Sequence, residues 1–103
     1  MYPVSSELVK ALSRAERRVA ELEAAVAALE AQMRTRDAEL ASAELYQDHE
    51  RWHALHLERQ QWDKDLDRLM EGWARQSETV VDGRRQLESF DQANPKASRL
   101  FRS

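Results

Sequence analysis

The sequence contains no cysteine and few of the residues that make turns. Its 103 residues include only 2 Gly and 2 Pro. Without cysteine, neither a disulfide framework nor a thiolate metal site can form. Compact α/β and all-β folds depend on frequent turns, so this composition disfavours both. A chain of this length and composition suits one domain built from long helices.

Features that direct a chain to a membrane or perform catalysis are also missing. No apolar run approaches the roughly 18 residues of a membrane span, and residues 1–6 do not resemble a secretion signal. The sequence has no glycine-rich phosphate loop and no cysteine or serine nucleophile motif. We therefore predict a cytoplasmic, non-catalytic protein with no cofactor and no membrane contact.

Two heptad ladders dominate the chain. The a and d positions of the first are Leu8, Leu12, Ala15, Val19, Leu22, Val26, Leu29, Met33, Arg36 and Leu40. Those of the second are Trp52, Leu55, Arg59, Trp62, Leu66, Leu69, Trp73, Gln76 and Val80. Alternating spacings of three and four residues are typical of coiled-coil helices. Since only a short segment separates the ladders, we predict an all-α protein whose two long helices form an antiparallel coiled-coil hairpin.

The ends of the ladders predict the boundaries of each segment. The hairpin is expected to span residues 7–80 and to consist of helix 1 (about 7–41), a connection (about 42–48) and helix 2 (about 49–80). A disordered N-terminus (1–6) should precede it. A helical extension or continuation (81–92) and a disordered basic tail (93–103) should follow it. Ser42 and Asp48 in the connection are both good N-cap residues.

Antiparallel pairing sets an a residue against a d residue of the partner helix and leaves two registers open. The first opposes Arg36 to Arg59. The second opposes Arg36 to Trp52 and Ala15 to Trp73. We favour the second register because it separates two like charges and packs a large side chain against a small one. The connection is long enough to accommodate the first register as well.

Helix 1 has an acidic edge and an alanine face. The acidic edge occupies the e positions Glu16, Glu23, Glu30 and Asp37, and the alanine face consists of Ala20, Ala24, Ala27, Ala28 and Ala31. The e positions of helix 2 are His56, Asp63, Met70 and Ser77, which do not complement the acidic edge. A solvated edge and high helix propensity explain both features. Alternatively, either one binds a partner helix or a second copy, which would make the chain an interaction or homodimerisation module.

Histidines and aromatic residues offer weaker signals. His49, His53 and His56 share one helix face and could bind zinc, but no further ligand accompanies them, so we predict no metal site. The three tryptophans occupy seam positions and are interpreted as packing residues. Tyr46, in the connection, is the aromatic residue with the fewest packing constraints.

Basic residues are the main candidates for binding. The predicted contacts are Arg14, Arg17, Arg18, Arg34, Arg84, Arg85, Arg99 and Arg102. Residues 84–103 carry 5 basic and 2 acidic side chains, whereas the rest of the chain carries 11 basic and 17 acidic ones. Arginine groups can neutralise phosphates without reading bases, so they favour a nucleic-acid contact. An ordinary mixed-charge surface is the alternative.

Several short motifs resemble the C-terminal domain of ABC-F type ATPases. The pairs Leu12-Ser13 and Leu29-Glu30 are similar to the opening of that domain. The connection, Leu40-Ala41-Ser42-Ala43-Glu44-Leu45-Tyr46, is similar to the family's leucine-alanine-aspartate-proline-x-leucine-tyrosine. Leu69 to Trp73 resembles its leucine-x-x-x-tryptophan. The resemblance covers about residues 10–78.

This resemblance implies a coiled-coil hairpin that follows two ATP-binding cassettes in a parent protein. Such proteins associate with ribosomes and act on translation, and the similar hairpin of the Uup branch binds DNA. The resemblance therefore implies contact with DNA or ribosomal RNA. It assigns ATP hydrolysis to the cassettes rather than to this chain.

Overall fold

A computed structural model describes the backbone of residues 3–93 and the side chains of residues 6–90. It contains three helices, α1 (Pro3–Leu40), α2 (Ala43–Gln47) and α3 (His49–Ala93), and no strand within the described range. The predicted all-α hairpin of two long helices is confirmed. None of the helices in residues 3–93 is both long enough and apolar enough to span a membrane.

The helix boundaries differ from the prediction in two places. α1 begins at Pro3, so residues 3–6 are helical rather than a separate N-terminal segment. Proline is well suited to this first position because a helix leaves that N–H unbonded in any case. The connection contains the one-turn helix α2. Residues 81–92, predicted as a helical extension or continuation, are part of α3, which runs through them without interruption. Beyond Ala93, the predicted basic tail lies outside the described residues.

Two polar side chains of the connection, Ser42 and Asp48, cap the N-termini of α2 and α3. The Ser42 hydroxyl oxygen accepts from the backbone N–H of Leu45 at 3.5 Å at the start of α2. Asp48 Oδ1 accepts from the backbone N–H of Arg51 at 3.2 Å at the start of α3. Each cap satisfies a backbone donor that has no partner within its helix.

The chain divides into two compact units, and within each of them α1 and α3 run antiparallel. Unit 1 comprises residues 1–20 and 73–103. Its described core consists of Leu12, Ala15 and Val80, against which Val19 and Leu87 pack. The buried Gly83 faces Leu12 so closely that a Cβ at that position would lie 3.1 Å from Leu12 Cδ1.

Unit 2 comprises residues 21–72 and includes the connection. Leu22 and Met33 are its buried apolar residues. A Cβ at Gly72 would lie 3.7 Å from the Leu22 side chain. At the other end of the unit, Trp52 Nε1 donates to the backbone carbonyl of Leu40 at 2.9 Å. All three tryptophans are half-buried, in accordance with their predicted packing role.

The register favoured from the sequence is wrong. Ala15 packs with Val80 in unit 1, rather than with Trp73. In unit 2 the guanidinium of Arg36 lies 4.6 Å from the ring centroid of Trp62, not over Trp52. The repulsion expected between Arg36 and Arg59 does not disfavour the observed register because each arginine has its own carboxylate partners.

Candidate nucleic-acid interface

Arg14 and Arg17 of α1, in unit 1, are the most available cations among the described members of the predicted set. Arg14 and Arg17 are both exposed. Within residues 3–93 neither forms an ion pair. They occupy outer heptad positions, where a helix presents its side chains away from the seam. Arg18, at the adjacent position, is exposed as well.

On α3, the same unit presents two arginines that are held only loosely. Arg84 Nη2 lies 3.7 Å from Glu16 Oε2, and Arg85 Nη1 lies 3.8 Å from Asp82 Oδ1. The two arginine side chains are 64% and 72% exposed. Ion pairs of this length at exposed positions contribute little stability. Both guanidinium groups can therefore exchange a carboxylate for a phosphate at low cost.

The predicted arginines do not form a single cluster. Arg14 and Arg17 lie on the outer side of α1, whereas Arg84 lies at the seam edge beside Glu16. Arg34 is exposed but belongs to unit 2. Arg99 and Arg102 lie outside the described residues. The arrangement suits several separate phosphate contacts better than one pocket.

The two units differ strongly in charge. The described part of unit 1 contains 7 basic and 6 acidic residues. Unit 2 contains 6 basic and 13 acidic residues. Because a phosphate backbone is repelled by an acidic surface, unit 1 is the more favourable of the two for nucleic acid.

The acidic edge is partly paired within the protein, which corrects the sequence interpretation. Arg59 pairs with Asp37, and Arg84 pairs with Glu16. The hydrogen bond from Arg59 is the main reason that the pKa of the Asp37 carboxyl lies below its ordinary value. The bonds from Arg59 to Asp37 and Asp63 likewise raise the pKa of Arg59. The sequence did not predict the first pair because Arg59 occupies an a position, whereas only e positions were compared. It did not predict the second because Arg84 lies beyond the end of the second ladder.

Arg36 is a second seam arginine with a full set of partners in unit 2. Its Nη1 donates to the Leu55 carbonyl at 3.2 Å, and its Nη2 donates to Glu58 Oε1 at 3.1 Å. Its guanidinium also lies over the Trp62 ring. These contacts assign Arg36 to the packing of unit 2 rather than to a binding surface.

Two of the three histidines, His49 and His56, make aromatic contacts. His56 stacks on Trp52 with ring centroids 4.9 Å apart, and His49 meets Tyr46 edge-on at 6.1 Å. Across the described part of the chain, no group of three or more His, Asp or Glu residues is placed to hold a metal ion. The zinc alternative therefore has no geometric support.

A family model described as ABC transporter C-terminal domain matches residues 10–78, about the range over which the short motifs were found. Neither among curated proteins nor among solved structures is there a significant match.

Proposed function

This chain belongs to the family of ABC transporter C-terminal domains, and from that premise we propose that it is a non-catalytic coiled-coil domain that contacts DNA or ribosomal RNA through basic side chains. The ATP-binding cassettes of a parent protein would bind and hydrolyse ATP in the cytoplasm. The hairpin would contribute a surface, since a coiled coil buries one seam and encloses no substrate pocket.

The availability of Arg14 and Arg17 is the observation that carries this proposal. A phosphate contact requires a cation that is exposed and not already neutralised by a carboxylate. Both arginines meet this requirement within residues 3–93. The loosely paired Arg84 and Arg85 belong to the same unit and support the same role.

The remaining predicted contacts contribute unequally under this proposal. Arg18 would add a phosphate contact in unit 1, and Arg99 and Arg102 would add contacts from the tail. Arg34 should contribute least because it belongs to the acidic unit 2. Contacts of this kind position a protein on a phosphate backbone without reading bases, so the binding should be nearly independent of the nucleotide sequence.

Fluorescence anisotropy with labelled DNA and RNA oligonucleotides over a range of salt concentrations tests the proposal. We expect binding at low salt that weakens steeply as salt rises, with a smaller salt slope for Arg14→Ala/Arg17→Ala. Lys64→Ala/Arg68→Ala is the matched control, because both side chains are exposed but belong to unit 2. Absence of binding to either nucleic acid, or equal losses in the two double variants, would contradict the proposal.

Self-association is the second candidate function, and the exposed alanine face is the observation that favours it. Ala20, Ala24, Ala27, Ala28 and Ala31 are all exposed. Analytical ultracentrifugation distinguishes the two functions. A dimer mass that does not change when an oligonucleotide is added supports self-association, whereas a monomer that sediments faster with the oligonucleotide supports nucleic-acid contact.

A further inference from the structure

The connection displays an exposed aromatic ring that the proposed nucleic-acid contact does not use. Tyr46, on α2, is 63% exposed. Its ring meets His49 edge-on at 6.1 Å and Trp52 edge-on at 6.3 Å. Trp52 is itself held by its hydrogen bond to the Leu40 carbonyl. The Tyr46 ring therefore contacts a tryptophan that is itself fixed by a hydrogen bond, and much of the tyrosine side chain is open to solvent.

Carboxylates close to Tyr46 in the chain lie on the exposed surface of unit 2. Glu44 and Glu50 are exposed, and among the described residues neither forms an ion pair. Asp48 uses one carboxylate oxygen to cap α3 and is otherwise exposed. Glu44 and Asp48 also line an open cavity of about 280 Å³, together with Glu39, Ser42, Leu45 and Arg51.

An aromatic face combined with unpaired carboxylates is complementary to a cationic side chain. The ring quadrupole attracts an ammonium or guanidinium group, and the carboxylates pair with further positive charges. A nucleic acid could stack a base on the same ring, but its phosphates would be repelled by the excess of acidic residues in unit 2. Unit 2 of a second copy would bring the same negative charge and is disfavoured for the same reason.

We propose that the connection surface, defined as Glu44, Tyr46, Asp48 and Glu50, docks a lysine- and arginine-rich segment of a protein partner. One cation of that segment lies over the Tyr46 ring, and its neighbours pair with Glu44 and Glu50. This site belongs to unit 2, whereas the proposed nucleic-acid contacts are concentrated in unit 1. The two proposals can therefore succeed or fail independently.

The test titrates the full chain into a labelled Arg/Lys-rich peptide and into a glutamine-substituted peptide of the same length, using fluorescence anisotropy at low salt. We expect only the cationic peptide to bind. Tyr46→Ala should weaken binding about two- to fivefold, and Tyr46→Phe should retain it. Glu44→Gln/Glu50→Gln should weaken it about three- to tenfold.

A charge-matched variant separates a defined site from general attraction. Asp67→Asn/Glu71→Gln removes two exposed carboxylates of α3 elsewhere in unit 2 and should change peptide affinity less than about twofold. An equal loss in this control overturns the site, and so does an absence of peptide binding. A weakened oligonucleotide affinity in Tyr46→Ala, with peptide affinity unchanged, would assign the ring to nucleic acid instead. Arg14→Ala/Arg17→Ala should leave peptide affinity intact.

Discussion

Arg59 Nε and Nη2 donate to the two carboxylate oxygens of Asp37, at 2.8 and 3.2 Å. The pair joins α3 to α1 within unit 2 by a two-point contact, which has more geometric specificity than a single ion pair. Arg59 also bonds Asp63 at 2.7 Å on its own helix. Because its charge is neutralised in this way, Arg59 can occupy a seam position in the observed register.

Asp37→Asn should lower stability slightly at neutral pH and much less in acid. The pKa of Asp37 is depressed in the folded state, so its contribution is present above the unfolded-state pKa and is lost as pH falls through the folded-state value. Thermal unfolding of both proteins from neutral pH to below the ordinary aspartate pKa measures this effect. Asp67→Asn, at an exposed position of the same unit, is the control. A gap in melting temperature that stays constant with pH would contradict the assignment.

The two glycines of α3 should respond differently to alanine. Gly72→Ala should stabilise the protein by about 0.5–1 kcal/mol, because alanine is favoured in a helix and the new Cβ would make an ordinary contact with Leu22. Gly83→Ala should gain less or destabilise, because its Cβ would displace the buried Leu12. Thermal unfolding of the two variants compares them directly. A larger gain for Gly83→Ala would show that Leu12 moves freely.

Leu22→Ala should be strongly destabilising. Leu22 is only 4% exposed, and removing a buried leucine costs about 2–5 kcal/mol. Leu57→Ala removes the same atoms from a side chain that is 50% exposed, so its effect should lie within about 0.5 kcal/mol of zero. Chemical denaturation monitored by circular dichroism gives both values. Similar losses in the two variants would mean that the seam is not the main source of stability in unit 2.

Arg36→Gln should destabilise unit 2 more than the loss of an ordinary surface arginine. The change removes the contact with the Trp62 ring and the hydrogen bonds to Leu55 and Glu58, at an expected cost of about 1–2 kcal/mol. Arg68→Gln is the control, since Arg68 is 74% exposed and its one ion pair within the described residues, with Asp65, is 3.7 Å long. Tryptophan fluorescence during denaturation reports on stability and on the combined environment of the three tryptophans, Trp62 among them. Equal midpoints for the two variants would refute the prediction.

The candidate site could be identified only in part from the sequence. The exposure of Arg14 and Arg17 was predictable because both occupy outer heptad positions, which depend on local periodicity alone. The pairing of Arg84 with Glu16 was not, because it joins residues distant in the chain and requires α3 to continue past residue 80. The acidic character of unit 2 follows from composition only once the limits of that unit are known.

The amino-acid sequence by itself determined the two long helices, the position of the connection and the family. Each depends on residues close together in the chain: the heptad spacing, the Ser42 and Asp48 caps, and the short motifs. Tertiary structure alone decided the register and the partners of the seam arginines. Register depends on the sum of packing and ion-pair contacts across two helices, and two like charges can occupy neighbouring positions when separate carboxylates neutralise each one.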